Sequence, residues 1–267
     1  MQEPKHNEEK LQNAEIHFPS RERREREHGK LYRWFDNFWY HHKWKTIISL
    51  SLAIIVLVCT LQMCGREEKG DISVLIAGPY NFTVEESAYT ELRNCLSRSS
   101  YLKDYDENGI SRADLQTFSI YSEAQIKALR EHVNEQGDPE PIEINVLHNS
   151  QNYNKYNQYM MTGETSVLLL DPWLFEEMAA KGEYLADLET LYGAAPQGAV
   201  YYTDAKEQVR CLGVRLGDIP LYQNIAVRFL SEDTVLCLMG PYFMGNSSDE
   251  AQYNRAVEYF KALAGIQ

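Results

Sequence analysis

The chain is 267 residues long and acidic, with 26 Lys and Arg residues against 39 Asp and Glu residues and a formal net charge of −13. Residues 1–45 carry ten basic and eight acidic groups, whereas residues 65–267 carry 16 basic and 31 acidic groups, so the negative charge belongs to the C-terminal part. Such a surface repels nucleic acid and anionic lipid, and binding to either is therefore disfavoured.

Residues 1–30 form a polar tail of mixed charge, which we expect to be disordered or to form a solvated, charged helix in the cytoplasm. Residues 31–45 differ, because Leu31 and several aromatic side chains recur there at helical spacing. Those aromatic residues are Trp34, Phe35, Phe38 and Trp39. This pattern predicts an interfacial helix at the level of the lipid headgroups. The alternative is that the segment docks onto a partner membrane protein.

Residues 46–65 contain no charged side chain and predict one transmembrane helix, since about twenty helical residues cross the roughly 30 Å hydrocarbon core of a bilayer. Arg66 and Lys69 follow this span closely, but more basic residues precede it: Arg26, Lys30, Arg33, Lys43 and Lys45. This excess predicts a single-pass protein of the cell membrane, with a cytoplasmic N-terminus and an extracytoplasmic C-terminal domain. No small-residue cleavage site follows the span, which favours a retained anchor, and lipidation of Cys64 is the alternative.

Residues 70–267 are long enough for one sizeable core and predict a single extracytoplasmic α/β domain. Short apolar runs alternate there with amphipathic patterns, as is typical of a sheet covered by helices on both faces. The predicted strands are Ile72–Ala77, Ile142–Leu147, Val167–Leu170, Cys211–Leu216 and Val235–Met239. The predicted helices are Val84–Leu96, Gln125–Val133, Tyr153–Met161, Leu174–Lys181 and Gln252–Leu263.

Three predicted strands end in a proline followed by an aromatic residue: Gly78–Pro79–Tyr80, Asp171–Pro172–Trp173 and Gly240–Pro241–Tyr242. If these strands are parallel, the three turns share the carboxyl edge of the sheet, where open α/β sheets bind ligands. Tyr80, Trp173 and Tyr242 could then stack on a flat ligand such as a sugar ring, with Asp171 supplying hydrogen bonds. The alternative is that the prolines only end strands and the aromatic rings pack locally.

An acidic segment at Asp104–Gly109 has the form of the first half of a calcium-binding loop. The oxygen ligands at positions one, three and five of that loop would be Asp104, Asp106 and Asn108. The twelfth position is Leu115 instead of a carboxylate, and Asp114 could close the site from one position earlier. The segment is therefore either a loose calcium site or a simple acidic turn.

The outer domain has no recognised catalytic constellation: no His–Glu–x–x–His zinc motif, no phosphate-binding loop and no Gly–x–Ser–x–Gly elbow. We therefore expect a non-catalytic binding or interaction domain with no cofactor besides the calcium considered above. One alternative is a structural or regulatory subunit of a membrane complex. A second is a carboxylate-dependent hydrolase that uses Asp171. Cys211 and Cys237 could form a disulfide outside the cytoplasm or remain buried thiols.

The segment Phe38–Ile48 resembles the opening of a group of single-pass membrane proteins of Clostridia-type Firmicutes, in which an aspartate/glycine turn like Asp104–Gly109 also occurs. The stretches Met160–Asp171 and Gly182–Leu188 are similar to part of the type II extracellular solute-binding proteins, where a helix ends in a glycine–acid turn and a strand and a further helix follow. The resemblance implies an outer domain with the α/β fold of one lobe of a type II periplasmic-binding protein. Solute-binding proteins have two lobes, and residues 70–267 supply little more than one.

Overall fold

The computed structural model of the protein describes residues 30–64, 70–82, 86–134, 136–241 and 250–266. The chain forms two compact units, Met1–Glu67 and Glu68–Gln267. The predicted tail of residues 1–30 lies outside the described residues except for Lys30.

One long helix, α1 (Lys30–Cys64), is the described part of the first unit. It contains both the aromatic segment and the predicted span without a break at residue 45, because neither glycine nor proline occurs within it. Aromatic rings four residues apart stack along this helix, and the ring centroids of Trp34 and Phe38 are 5.6 Å apart. The stretch Asn37–Leu61 has a mean hydropathy of 2.1 and no buried part, so it is long and apolar enough to cross a membrane.

The second unit is built on one open sheet of six strands in the order β2-β1-β3-β6-β5-β4. The strands are β1 (Ile72–Gly78), β2 (Ala113–Ser119), β3 (Val167–Leu170), β4 (Ala199–Thr203), β5 (Val209–Arg215) and β6 (Val235–Leu238). The described helices are α2 (Glu86–Leu96), α3 (Glu123–Arg130), α4 (Val146–Thr162), α5 (Pro172–Ala180), α6 (Leu188–Tyr192) and α7 (Glu250–Ala264). Short 3₁₀ turns follow β5 at Leu216–Asp218, Pro220–Gln223 and Ile225–Val227. The α/β class predicted from the sequence is confirmed.

The sheet has a parallel half, made of β2, β1 and β3, and an antiparallel half, made of β6, β5 and β4. β1 pairs in parallel with both of its neighbours. β6 runs antiparallel to β3 and to β5, and β4 runs antiparallel to β5. The β4–β5 ladder contains a β-bulge, where its register shifts between Val200 and Tyr201.

Helices cover both faces of the parallel half. The chain passes from β1 through α2 to β2, and then back across β1 through α3 and α4 to β3. Because such connections are right-handed, α2 and α4 lie on opposite faces of the sheet. On the α4 face, the rings of Tyr156 and Phe118 are 5.9 Å apart. On the α2 face, the Tyr259 hydroxyl of α7 donates a hydrogen bond of 3.0 Å to the Leu96 carbonyl.

The core centres on β1, β3 and β6, and every residue of β3 and β6 is buried. These strands were predicted from their apolar runs, because a strand buried on both faces carries apolar side chains on both.

The predicted strand at Ile142–Leu147 is wrong. Helix α4 begins at Val146, and Asn145 caps it by accepting a hydrogen bond of 3.0 Å from the His148 amide. The Ile142 side chain is 44% exposed, so its apolar run does not enter the core.

Candidate functional site

The carboxyl ends of β1 and β3 meet at one edge of the sheet, as the sequence predicts, because the two strands are parallel. Gly78 ends β1 there, and Asp171 directly follows β3. The prediction for the third turn is wrong, since β6 is antiparallel to β3 and Gly240–Pro241 therefore lies at the opposite edge. Thr234, which precedes β6, is at the edge where that turn was expected. Tyr242, the predicted ligand residue of the turn, lies outside the described residues.

The buried side chain of Tyr80 occupies this edge of the sheet. Its side chain is only 6% exposed, and its ring centroid lies 6.4 Å from that of Phe229. The Tyr80 and Thr234 hydroxyls form a hydrogen bond of 2.6 Å, and burial raises the pKa of Tyr80 to about 12. A Cβ on Gly78 would lie 2.6 Å from Cε2 of Tyr80, so only glycine permits this close approach. The Tyr80 ring therefore packs locally.

Asp171 is also buried at this edge, with 6% of the residue exposed. Its Oδ1 accepts a hydrogen bond of 3.3 Å from the Trp173 amide and so caps α5. Its Oδ2 accepts a hydrogen bond of 3.1 Å from Nε2 of Gln125. Burial raises the pKa of the Asp171 carboxyl above its usual range. Both carboxylate oxygens are therefore engaged within the protein.

Trp173 is half-buried at the start of α5 and contacts α4. Its ring stacks on that of Tyr153 with centroids 6.2 Å apart. The Tyr153 hydroxyl in turn donates a hydrogen bond of 2.6 Å to Oε1 of Glu177. Among the described residues, the buried Nε1 of Trp173 has no hydrogen-bond acceptor. The structure thus brings Tyr80 and Asp171 to one edge, with Trp173 in the first turn of α5. These side chains pack against their neighbours in the protein, and their contacts fill the edge where a ligand was predicted.

An open groove of about 710 Å³ lies beside this edge, between α5 and the antiparallel half of the sheet. We call it the β4 groove, and its lining residues are Pro172, Phe175, Glu176, Val200, Tyr201, Tyr202, Thr203, Arg215, Asp233 and Val235. Val200 pairs with Gly213, and a Cβ on Gly213 would overlap Cγ1 of Val235, so these three residues share one face of the sheet. These three residues form an apolar patch on that face, and polar side chains, among them Arg215 opposite Val235, surround the patch.

The polar rim of the β4 groove carries an excess of negative charge. The guanidinium of Arg215 lies 2.7 Å from Oδ1 of Asp233 and 3.4 Å from Oε1 of Glu232. A third carboxylate, that of Asp218, is 3.9 Å away. Among the described residues at this rim, the three carboxylates around Arg215, together with the groove-lining Glu176, outnumber the Arg215 cation. An apolar floor with a few polar groups suits a small polar ligand that has one apolar face.

The sequence did not predict the β4 groove, because β4 was not predicted. The signal that was available is the run Ala199–Thr203, which is rich in aromatic and β-branched residues. It lies between the turn-forming residues Pro196–Gly198 and Asp204–Lys206, the flanks expected of a short strand.

The acidic loop brings three carboxylates together, but one of them was not predicted. Ligand oxygens of Asp71, Asp104 and Asp106 lie within 4.8 Å of one another. Asp71 precedes β1, and its two oxygens accept hydrogen bonds of 2.8 and 2.9 Å from the amides of Tyr105 and Arg112. Oδ1 of Asp104 is buried without a hydrogen-bond partner among the described residues. These are oxygen ligands of the kind that calcium prefers.

The other two predicted calcium ligands have local roles in the structure. Asp114 accepts a hydrogen bond of 2.6 Å from the Gly70 amide and forms an ion pair of 3.2 Å with Arg112. Oδ1 of Asn108 accepts a hydrogen bond of 2.8 Å from the Ile110 amide. Calcium binding by this loop stays a prediction, with Asp71 as the additional candidate ligand.

Cys211 and Cys237 lie on the neighbouring strands β5 and β6, and both are buried free thiols. Burial raises the pKa of Cys211 to about 11 and raises the pKa of Cys237 well above its usual value. Raised pKa values keep these thiols protonated and unreactive at neutral pH.

No protein-family model matches the chain, and neither a curated protein nor a solved structure is significantly similar to it. The resemblance to type II solute-binding proteins therefore stays a prediction.

Proposed function

We propose that the protein is a membrane-anchored, extracytoplasmic binding domain that acts without catalysis and holds a small polar solute such as a sugar in the β4 groove. The observation that carries this proposal is the groove itself, whose volume of about 710 Å³ falls in the range of small-molecule sites. Its apolar floor and charged rim are the combination that orients a polar ring: an apolar surface for one face of the ring and hydrogen-bonding groups around its edge.

The anchor in this proposal is α1. The stretch Asn37–Leu61 could cross a membrane, and basic residues are more numerous before it than after it. That distribution supports an N-terminus in the cytoplasm and a C-terminal unit outside. The acidity of residues 65–267 suits an exposed domain that must stay soluble.

We propose binding and not catalysis because the fold itself engages the acid group that the sequence offered for a hydrolase. Asp171, the acid group considered for a hydrolase, caps α5 and binds Gln125. A carboxylate in those bonds is poorly placed to meet a substrate.

A second candidate function, a subunit of a membrane complex, is favoured by the surface of α1. Trp34, Tyr40 and Trp44 are each well exposed, and such rings suit either the lipid interface or the surface of a partner helix. Purification of the full chain in mild detergent tests this candidate. A stoichiometric membrane protein retained without added ligand, and lost when Trp34 and Trp44 are replaced by Leu, would support it.

The primary proposal is tested by thermal unfolding of the full chain in nanodiscs against a panel of sugars, amino acids, calcium and chelator. A ligand at about 100 times its Kd stabilises the folded state by about 2.7 kcal/mol, which corresponds to a rise in Tm of roughly 5–10 °C. We expect Tyr202→Leu, which removes an aromatic ring from the β4 groove, to abolish the shift. Trp173→Phe is the control, because Trp173 does not line the groove and phenylalanine preserves the stack on Tyr153.

The two variants separate the possible results. A shift lost in Trp173→Phe but retained in Tyr202→Leu would move the ligand to the carboxyl edge of β1 and β3. An unfolding transition that no compound shifts would reject solute binding within the panel. Calcium in the same panel tests the acidic loop, since an Asp71→Asn variant should lose any shift that calcium causes through that loop.

A further inference from the structure

The outer side of β4 is an unpaired strand edge. Among the described strands, β4 is the last of the sheet and pairs only with β5. The Asp204 amide donates to the Gln208 carbonyl. In an antiparallel ladder every second residue bonds to the partner strand, so Tyr202, two residues earlier, also bonds to β5. The backbone N–H and C=O groups of Tyr201 and Thr203 consequently point away from the sheet. Within the part of the chain that the structure describes, no hydrogen bond reaches these four groups.

The side chains of β4 include none of the types that commonly protect an edge strand from pairing. Natural edge strands often carry lysine, proline or an inward-pointing charge, whereas Ala199–Thr203 contains none of these. Tyr201 is 49% exposed, and Val209 across the hairpin is exposed as well. The β-bulge lies at the Val200 end and leaves the Tyr201–Thr203 stretch regular. We call the outward backbone groups of Tyr201 and Thr203 the β4 edge.

The surroundings of the β4 edge are acidic on both faces of the sheet. On one face, Glu176 and Asp233 line the β4 groove. On the other face, α6 packs against α7, with the rings of Tyr192 and Phe260 stacked 6.2 Å apart. Partial desolvation raises the pKa of Tyr201, and the charges of Glu189 and Asp187 at α6 raise it further. The basic residues nearby are Lys206 in the β4–β5 turn, Arg210 opposite Tyr202, and Arg215, which is ion-paired with Asp233. An occupant with positive charge is therefore favoured over an acidic one.

We propose that the β4 edge binds an extended, basic peptide segment of another protein by strand addition. The outward backbone groups of Tyr201 and Thr203, which no described residue engages, supply the main-chain hydrogen bonds. Alternate side chains of the incoming strand then face the β4 groove and the acidic surface near α6. This proposal concerns a protein partner and does not require a solute in the groove.

The test uses the full chain in nanodiscs of zwitterionic lipid, which does not itself attract a basic peptide. The probe is a fluorescent peptide of alternating Lys and Val, and its matched controls are a Glu and Val peptide and a Lys and Val peptide with alternate backbone nitrogens methylated. Binding is measured by anisotropy, and protection of Tyr201 and Thr203 amides is measured by hydrogen exchange. We expect the Lys and Val peptide to bind and to protect both amides. Both control peptides should bind at least about tenfold more weakly.

The protein variants are Thr203→Pro, which removes one outward N–H, and Thr203→Val, which keeps it. Proline is tolerated on an edge strand where the N–H faces solvent, and thermal unfolding checks that the variant is folded. Binding should fall at least tenfold with Thr203→Pro and remain within about twofold with Thr203→Val. If Thr203→Pro does not fold, the methylated peptide against the unmodified protein still tests the same hydrogen bonds.

Three results would overturn the proposal. The first is the absence of binding by the Lys and Val peptide. The second is equal binding of the methylated and unmethylated peptides, which would mean attraction to the acidic surface without strand pairing. The third is a dimer, dissociated by Thr203→Pro, in which the Tyr201 amide is already protected without peptide. A second copy of the chain would then occupy the β4 edge.

Discussion

The two edges of the sheet differ in how their backbone groups are satisfied. On the outer side of β2, side chains of α2, of the residue that follows it and of α4 bond to the strand. The Ser97 hydroxyl accepts from the Ala113 amide at 2.9 Å, the Tyr89 hydroxyl donates to the Leu115 carbonyl at 3.2 Å, and Nδ2 of Asn152 donates to the Ser119 carbonyl at 3.0 Å. On the β4 edge no such bond is found among the described residues. Side-chain hydrogen bonds therefore cover part of the β2 edge, whereas the described residues leave the β4 edge exposed.

The two halves of the sheet also differ in how completely the rest of the protein covers them. The parallel half carries helices on both faces, and its carboxyl edge is filled by Tyr80 and Asp171. In the antiparallel half, the face beside α5 is open as the β4 groove. An exposed edge strand next to an open face is where a protein binds ligands at little cost to its core. The four predictions below test this difference, from the largest expected effect to the smallest.

Gly213→Ala tests whether the antiparallel half is packed as tightly as a core in spite of its open edge. The added Cβ would overlap Cγ1 of Val235 and approach the Cys237 sulfur at 3.1 Å. We expect a loss of about 1–3 kcal/mol in the free energy of unfolding, measured by urea denaturation. Thr203→Val at the exposed edge is the control and should change it by less than about 0.5 kcal/mol. Equal effects of the two substitutions would show that β5 is as loosely packed as β4.

The Tyr80–Thr234 hydrogen bond joins the two halves, because Tyr80 follows β1 and Thr234 precedes β6. Tyr80→Phe leaves the buried Thr234 hydroxyl without this partner and should cost about 1–2 kcal/mol. Thr234→Val should cost a similar amount, whereas the double variant should lose less than the sum of the two. Additive losses in this double-mutant cycle would contradict a direct bond between the hydroxyls.

Ser97→Ala removes the hydroxyl that accepts from the Ala113 amide, so this backbone N–H on the outer side of β2 loses that hydrogen bond. We expect a loss of about 1 kcal/mol in stability, together with faster hydrogen exchange at Ala113. Ser100→Ala, at an exposed position beyond α2, should leave both quantities unchanged. Unaltered exchange at Ala113 in the Ser97 variant would mean that the edge is closed by something other than this hydroxyl.

The carboxylates of Asp171 and Asp204 should affect stability with opposite dependence on pH. The folded-state pKa of Asp171 is raised by burial, so the folded chain binds its proton more tightly and stability falls as pH rises from about 4 through that pKa. The pKa of Asp204 in the β4–β5 turn is lowered, chiefly by hydrogen bonds from the Gln208 and Lys206 amides. Its contribution is present above about pH 4 and is lost as pH falls through the lowered pKa.

Asp171→Asn and Asp204→Asn separate these two contributions. The free energy of unfolding is measured by urea denaturation at several acidic pH values. In Asp171→Asn, its decrease with rising pH should disappear. In Asp204→Asn, part of its decrease with falling pH should disappear. A pH profile that neither substitution alters would show that other groups dominate the acid response.

The sequence predicted the middle of the sheet better than its edges. The four inner strands β1, β3, β6 and β5 all lie within or close to predicted apolar runs. Both edge strands were missed, because β2 alternates buried and less buried residues and β4 has no buried residue. An edge strand buries less of each side chain, so an apolar run is a weak signal for it. The apolar run at Ile142–Leu147 led to the opposite error: it predicted a strand where none forms, and Ile142, Val146 and Leu147 are exposed in the folded chain.

The ligand site, too, could be predicted only in part from local sequence patterns. The adjacency of Gly78 and Asp171 followed from two parallel strands, but the direction of β6 could not be read from its residues. A strand has the same local pattern in either direction, and here the direction depends on how the segment between Arg215 and Val235 returns the chain to the sheet. That return places Thr234, instead of Gly240, beside Tyr80.

The sequence by itself determined the apolar helix that could cross a membrane, the acidity of the C-terminal unit and its α/β class. These properties are local or additive, since they depend on composition and on the spacing of neighbouring residues. Only the tertiary structure decided that Asp71 joins Asp104 and Asp106, that Tyr80 fills the carboxyl edge, and that no described strand pairs with the outer side of β4. Each of these depends on contacts between residues far apart in the chain, and such contacts form only when the whole sheet is assembled.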